Sequence, residues 1–355
     1  MSVVISGICG FVGSSLARWL KESQPDLEIF GFDNFSRPGS HLNRAVLDGM
    51  GIKVFHADVR QASDVDNMPK AKWVIDAAAN PSVLAGVDGI SSSKQVIESN
   101  LYGSVNLLEY AKRHQAGFIL ISSSRVYSIA ELQKIPLAPG AESYVFDEKQ
   151  QSPQGVSANG IAESFSTAAP ISLYGGTKLA SEVLALEYAA MSNIPVWINR
   201  CGVLAGAGQF GRPDQGIFSY WIHSYLARQP LRYVGFGGSG LQVRDCLHPS
   251  DLSLLIKQQM DTANDGRPQI CNIGGGKNSA MSLKQLSNWC SEKFAEHTVS
   301  TSSDTRMFDT PWIVMDNGLA KNTWKFEPKV SLNDILEEIA VHAKEHPEWL
   351  KVSAI

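Results

Sequence analysis

The chain has no apolar run long enough to cross a bilayer as a helix, so no membrane-spanning helix is expected. Cysteine is scarce. Cys9, Cys201, Cys246, Cys271 and Cys290 are the full set of five, and none form a Cys-x2-Cys pair. The eight histidines show no ligand spacing such as His-x3-His. Neither a metal site nor a disulfide framework is expected, and the thiols read as reduced, in a cytoplasmic protein. Excess charge of one sign is lacking too. A net charge of −4 gives nothing to attract nucleic acid or an anionic membrane. The first residues already read as a core strand, which leaves no room for a signal peptide. Apolar residues, in contrast, make up 44% of the 355 positions, enough for one large domain or two moderate ones.

The most telling stretch is Tyr174-Gly175-Gly176-Thr177-Lys178. A tyrosine and a lysine four apart share one helix face. A phenol beside an ammonium can act as a general base, because the cation stabilises the phenolate. The pair gains meaning from the N-terminus. Val3-Val4-Ile5-Ser6 reads as a strand, Gly7, Gly10 and Gly13 as a turn, and Val12, Leu16, Trp19 and Leu20 as one face of a helix. Glycines let a backbone approach a pyrophosphate, which then sits at the helix N-terminus. The spacing is Gly-x2-Gly-x2-Gly, one residue longer than the Gly-x-Gly-x2-Gly dinucleotide fingerprint. A second strand, Leu27 to Phe32, ends at Asp33, twenty residues past Gly13. An acid there binds an adenosine ribose and repels a 2′-phosphate, so NAD is favoured over NADP. Arg37, close by, weakens that preference.

Strand and helix alternate onward. Ile52–His56 leads into Asp58 and Val59, at a strand edge near the adenine. Trp73–Ala79 ends in the small Ala77-Ala78-Ala79, which lets a cofactor lie close to the sheet. A helix over Lys94–His114 carries Asn100. Phe118–Ile121 runs into Ser122-Ser123-Ser124-Arg125-Val126-Tyr127, Leu173–Ser192 is the helix of the Tyr/Lys pair, and Pro195–Asn199 is a sixth strand. This rhythm implies a Rossmann-type, doubly wound parallel sheet with ligands at the carboxyl ends of its strands. Residues 128–172 break it, with four prolines and many Ser, Gly and Gln residues. They read as a surface insertion or a flap over the site. Residues 1–200 are thus expected to form the cofactor domain with this insertion. Residues 201–355 are expected to be mainly a smaller, interleaved α/β substrate lobe. Its helices fit Ile217–Ala227, Asp251–Met260, Leu283–Phe294 and Leu332–Lys344, and its strands Leu231–Phe236 and Ile270–Ile273.

Gly7/Gly10/Gly13, Asp33, Asp58-Val59, Ser122-Ser123-Ser124-x-Val126-Tyr127, Tyr174-x3-Lys178 and Val243-Arg244-Asp245 occur in one order along the whole chain. In that order they resemble an extended short-chain dehydrogenase/reductase of the NAD-dependent nucleotide-sugar epimerase/dehydratase family. Within it the chain is most similar to the CDP-sugar 2-epimerases of the CDP-paratose to CDP-tyvelose type. The segments behind that are Asp33-Asn34-Phe35-Ser36-Arg37, Gly208-Gln209-Phe210 with Asp214-Gln215-Gly216, and Gln242 to His248. The resemblance implies an enzyme with tightly held NAD, acting on a nucleotide-diphosphate sugar. It makes Tyr174 the acid/base, Lys178 the residue that holds the nicotinamide ribose, and Ser123 the hydroxyl at the reacting oxygen, with Ser124 competing for that place. It places the cofactor against Gly7, Gly10, Phe11, Val12, Gly13, Asp33, Asn34, Ser36, Arg37, Asp58, Val59, Ala77, Ala78, Ala79, Asn100, Ser122, Tyr174, Lys178 and Cys201. It places the substrate against Ser124, Arg125, Gln209, Gln215 and Arg244, with Arg244 gripping the diphosphate unless it is a surface arginine paired with Asp245.

Two departures bear on the reaction. Family dehydratases carry an Asp-Glu pair after the catalytic Ser or Thr, where this chain has Ser124-Arg125, which disfavours water elimination. Val203-Leu204-Ala205-Gly206 stands where many relatives have Asn-Val-Tyr-Gly. A 4-epimerase or a dehydrogenase of the same family is the alternative reading, and a non-catalytic NAD-binding protein the remaining one. The helices over 94–114 and 173–192 resemble those that pair between subunits as a four-helix bundle. The resemblance thus implies a homodimer, with a homotetramer as the alternative; outward apolar residues such as Leu101, Val105 and Leu186 would fit it, and would equally fit packing within the chain.

Overall fold

The computed structural model describes residues 1–354 apart from 88, 90, 91, 263 and 264. Its centre is a seven-stranded sheet. β1 (Ser2–Ser6), β2 (Glu28–Asp33), β3 (Lys53–His56), β4 (Trp73–Asp76), β5 (Gly117–Ser123), β6 (Val196–Cys201) and β7 (Ile270–Ile273) all run parallel, in the order β7-β6-β5-β4-β1-β2-β3. The order reverses between β1 and β4, and the carboxyl ends of those strands open the crevice where such sheets bind ligands.

Alternation along each strand sends side chains to both faces. Val3 and Ile5 pack with Leu16, Leu20, Trp197, Leu252 and Trp324 on one face. Val4 packs with Val74, Leu107, Phe118, Ala185 and Ile198 on the other. β7 differs from the sequence expectation. Ile270–Ile273 is not a strand of the smaller lobe but the seventh strand of this sheet, with Ile198 opposite Ile270. β4 also stops at Asp76, so Ala77–Ala79 lie beyond the strand, and the strand expected to reach Phe236 ends at Tyr233.

The helix expected over 94–114 is one continuous rod with a π segment at Ile97–Tyr102 between its α-helical parts. π segments recur at functional sites because the extra residue re-aims a side chain. Here that side chain is Asn100, whose amide receives the Asn80 N–H at 2.7 Å and donates to the Asn80 carbonyl at 3.0 Å. The helix Ser172–Ser192 presents one buried stripe, Tyr174, Lys178, Ser181, Glu182, Ala185 and Ala189, at helical spacing.

The 128–172 insertion is ordered. It holds a hairpin, Leu137–Pro139 with Tyr144–Phe146. Leu132, Ile135, Ile161 and Phe165 pack on Trp312 to Met315. The other lobe is built on the strands Val203–Leu204, Val243–Leu247, Ala280–Ser282 and Trp312–Ile313, with a core from Phe218, Trp221, Leu286, Leu336 and Ile339. Among the described residues no helix is long and apolar enough to cross a membrane.

That lobe holds a pair of imidazoles, His223 buried and His342 half-buried, with Nδ1 of His342 3.3 Å from Nε2 of His223. Burial, then the other histidines, pushes His223 down to about 3 and His342 to about 4. An unfolded chain protonates these rings below about pH 6.5, while the folded one resists. Stability present above that pH is therefore lost as pH falls toward 4. Melting temperature should drop across that window, and His223→Gln should show a shallower drop.

Candidate active site

The glycine turn is set by close backbone packing. Gly7 takes φ +62°, and a β-carbon there would lie 2.8 Å from the Ala78 Cα; one at Gly13 would lie 2.3 Å from the Gly7 carbonyl oxygen. Neither position accepts a side chain. Gly10 precedes the helix Phe11–Ser23, whose start has no side-chain cap. Phe11 and Val12 thus open a helix with backbone N–H groups left for a phosphate.

Around the turn stand the other expected cofactor contacts. Asp33 is buried, and its carboxylate accepts the Cys9 N–H at 3.0 Å and the Phe35 N–H at 2.8 Å. Burial pushes its pKa up, and the backbone N–H groups of Phe35, Cys9 and Gly10 pull it back. Lone pairs remain for ribose hydroxyls. Asp58 is held by Arg60 at 2.6 Å and by the Asn34 amide at 3.1 Å, which bring its carboxyl down to about 2, Arg60 contributing most. The Ser36 N–H donates to Asn34 Oδ1, and Val59 is buried against Gly103. The N–H groups of Ala77 and Ala78 donate to Ser6 Oγ, and Ala79 is exposed.

The catalytic candidates meet at the end of β5. Ser123 accepts the Arg125 N–H at 3.1 Å and so caps the 3-10 turn Ser124–Val126. That turn lies on the Tyr174 helix, since a β-carbon at Gly175 would come within 2.1 Å of the Arg125 carbonyl oxygen. The buried Ser124 and half-buried Arg125 therefore stand beside Tyr174. Lys178 is only 2% exposed, yet its ammonium has no hydrogen-bond or ion-pair partner among the described residues. A buried cation without a partner is costly unless a ligand supplies acceptors. Lys178 lies near Cys201, whose thiol burial pushes up to about 12, with Lys178 pulling it down and Asp245 up. Cys9 is pushed to about 12 in the same way, by burial first. The glycine turn, the open helix N-terminus, Asp33 and the unpartnered Lys178 together suit a dinucleotide.

Several expected contacts are taken up by the protein itself. Ser122 Oγ donates to Glu182 at 2.5 Å. Besides Asn80, the Asn100 amide donates to Thr177 Oγ1 at 3.2 Å. Arg37 is tied to Gln215 Oε1 at 2.8 Å and to the Phe210 carbonyl, so its guanidinium is spent on the 208–216 loop rather than on a 2′-phosphate. Gln209 donates to the Leu204 carbonyl at 2.7 Å. Arg244 is not a surface residue paired with Asp245. It is bound to Asp309 at 3.1 Å and to the Thr310 carbonyl at 2.8 Å.

The sequence reading missed a buried polar chain beneath the site. Glu182 pairs with Arg200 at 2.7 Å, both almost fully buried. The Arg200 guanidinium lies 5.3 Å over the Tyr127 ring, and Tyr127 Oη donates to Asn272 at 2.6 Å. The Asn272 N–H donates to Glu163 at 2.6 Å. The only sequence signal for Glu182 is its place four residues after Lys178 on the same stripe. Asp245, a motif residue and the alternative partner considered for Arg244, is fully buried. It accepts the N–H groups of Gly276 at 3.0 Å and Met315 at 3.2 Å, and burial pushes its carboxyl up to about 6. A cavity of about 170 Å³ opens beside Phe11, but no catalytic candidate lines it, and a contact of 2.9 Å between His248 Nε2 and the Glu338 carboxyl joins two of its walls.

The sheet and this site define a dinucleotide-binding α/β enzyme fold. Residues 3–274 match the model of the NAD dependent epimerase/dehydratase family, and the chain belongs to that family. It is 28% identical over 349 residues to the CDP-paratose 2-epimerase of Salmonella typhi, covering 96% of this chain and 98% of that one. It is 24% identical over 369 residues to a UDP-glucuronate 4-epimerase of Thermodesulfobacterium geofontis, with 98% of each covered. In fold it is similar to the UDP-glucuronic acid 4-epimerase of Bacillus cereus solved with UDP-glucuronic acid and NAD, with a TM-score of 0.76 and 23% identity over 97% of this chain and 99% of that one.

Removing one partner of a buried ion pair leaves the other charge uncompensated, at a cost of about 3–5 kcal/mol. Glu182→Ala should lose about that much unfolding free energy in urea, and the double variant Glu182→Ala/Arg200→Leu should lose less than the sum of the two single changes.

Proposed function

We propose that the chain is a nucleotide-sugar epimerase that oxidises one sugar carbinol and reduces it again from the opposite face. The observation that carries this is the buried, unpartnered Lys178 one helical turn from Tyr174, with the Ser123 turn packed on the same helix. The family is NAD-dependent. When bound, NAD supplies the hydride acceptor for the first half and the donor for the second.

The chain's own residues handle the proton and the geometry. Tyr174, as phenolate, takes the hydroxyl proton as the carbon is oxidised, and returns it in the second half. Ser123 donates a hydrogen bond to the oxygen that gains and loses charge. Lys178 offers its ammonium to the ribose hydroxyls and to the phenolate. Asp33 accepts from the adenosine ribose, and the N-terminus at Phe11–Gly13 faces the pyrophosphate. The ketone formed has lost its stereocentre, so a substrate that turns over in the site is reduced on its other face with no net redox change.

Arg125 argues against dehydration. A guanidinium standing after Ser124 cannot act as the carboxylate that water elimination uses. The substrate reading is a CDP-sugar 2-epimerase of the CDP-paratose to CDP-tyvelose type, supported by the near full-length similarity to the Salmonella typhi protein. A 4-epimerase is the second reading, supported by the equally long similarity to a UDP-glucuronate 4-epimerase. We place the enzyme in the cytoplasm, since all five cysteines are free and buried. A homodimer is proposed through the helices bearing Tyr102, Val183 and Met191, large apolar residues more than half exposed, whereas Leu101, Val105 and Leu186 are only partly exposed and Leu186 packs against the chain's own core.

Purified protein incubated with CDP-, UDP-, GDP- and dTDP-sugars in D2O should form an epimer by NMR without solvent deuterium at the inverted carbon. Deuterium at that carbon would contradict hydride return. Tyr174→Phe should lower kcat by about 10²–10⁴-fold, and full turnover in that variant would remove Tyr174 as the base.

A further inference from the structure

The cations of Arg125, Arg244 and Arg306 lie close together, with Asp309 acting on Arg125 and Arg244 and the buried Asp245 acting on Arg244 as well. The Arg244 charge is answered by the Asp309 carboxylate at 3.1 Å. Arg125 makes one side-chain hydrogen bond, from Nη1 to the Phe308 carbonyl at 3.3 Å, and the Arg306 side chain makes no hydrogen bond or ion pair among the described residues. Two guanidiniums thus lack an acid of their own. Burial, then the nearby Arg244, lowers Arg125 to about 10, which leaves it a cation at neutral pH. Two unmatched cations suit a diphosphate, which carries one negative charge on each phosphate.

Position separates Arg125 from the other two. Arg244 and Arg306 belong to the second lobe. Arg125 belongs to the turn that carries Ser123, with its backbone carbonyl against Gly175, the residue after Tyr174. The reacting hydroxyl must reach Ser123 and Tyr174 together. In a nucleotide-diphosphate hexose the phosphate hangs from the anomeric carbon, C2 is bonded to that carbon, and C4 lies across the ring. A phosphate held by Arg125 therefore brings C2 to Tyr174 and keeps C4 away.

We propose that Arg125 holds the sugar-proximal phosphate beside Tyr174 and thereby selects C2 as the carbon oxidised. The inference rests on the epimerase reading and adds to it the residue that sets which carbon reacts.

The test uses NAD-loaded wild type, Arg125→Gln and Arg125→Lys. CDP affinity is measured by calorimetry. Epimer formation is followed by NMR with CDP-glucose deuterated at C2 or at C4. Wild type should show a primary isotope effect with the C2 label and none with the C4 label. Arg125→Gln should bind CDP about tenfold or more weakly and lose the C2 preference, with Arg125→Lys intermediate in both. A wild-type isotope effect from C4 would overturn the selection of C2. Unchanged CDP affinity in Arg125→Gln would overturn the phosphate contact. If no epimer forms from CDP-glucose, the choice of C2 falls with the epimerase reading for that substrate, while calorimetry still decides the phosphate contact.

Discussion

The Glu182–Arg200 pair is the interaction on which the site's geometry depends. Glu182 sits on the helix of Tyr174 and Lys178, Arg200 on β6, and Ser122 at the end of β5 donates to the same carboxylate. One buried acid therefore fixes how a helix crosses two strands. Such a pair is weak as a source of net stability, because desolvation offsets the attraction. Its strength lies in direction. A guanidinium donates two hydrogen bonds to a carboxylate in few orientations, and a helix turned away would leave a charge buried without a partner. Tyr174 and Lys178 inherit that orientation through the shared stripe.

The sheet was legible because it is written in local terms. Apolar runs, the glycine turn and the acid after β2 each announce themselves within about ten residues of chain. The Tyr174 helix was legible for the same reason. β7 was not, since a four-residue strand far along the chain carries nothing that says which sheet it joins, and only the pairing of Ile270 with Ile198 decides it. The π segment was hidden because its cause is tertiary, the capture of the Asn80 backbone by Asn100.

The site was legible in its residue types and less so in its wiring. Ser122, Asn100, Arg37 and Gln209 are the residues that a motif singles out, yet each is engaged by other parts of the protein. Glu182, Arg200 and Asn272 look in sequence like ordinary polar positions, and acquire meaning only once the helix and strands bury them. The convergence of Arg125 and Arg244 on the 306–310 segment joins residues 183 and 65 positions apart, so no local spacing encodes it. Asp245 belongs to the same group. Its carboxyl fills the space that side chains at 202 and 274 would need, so the ends of β6 and β7 run into glycine.

Two thiols, Cys9 and Cys201, flank the dinucleotide cradle, one in the glycine turn and one beside Lys178. Thiolate, not thiol, is what oxidants and alkylating reagents attack. With both groups held near 12 and shut away from solvent, the cradle presents no nucleophilic sulfur while the chain is folded. A protein of an NAD-dependent family thus keeps its own sulfur chemistry silent, and its susceptibility to thiol reagents becomes a measure of how often the cradle opens.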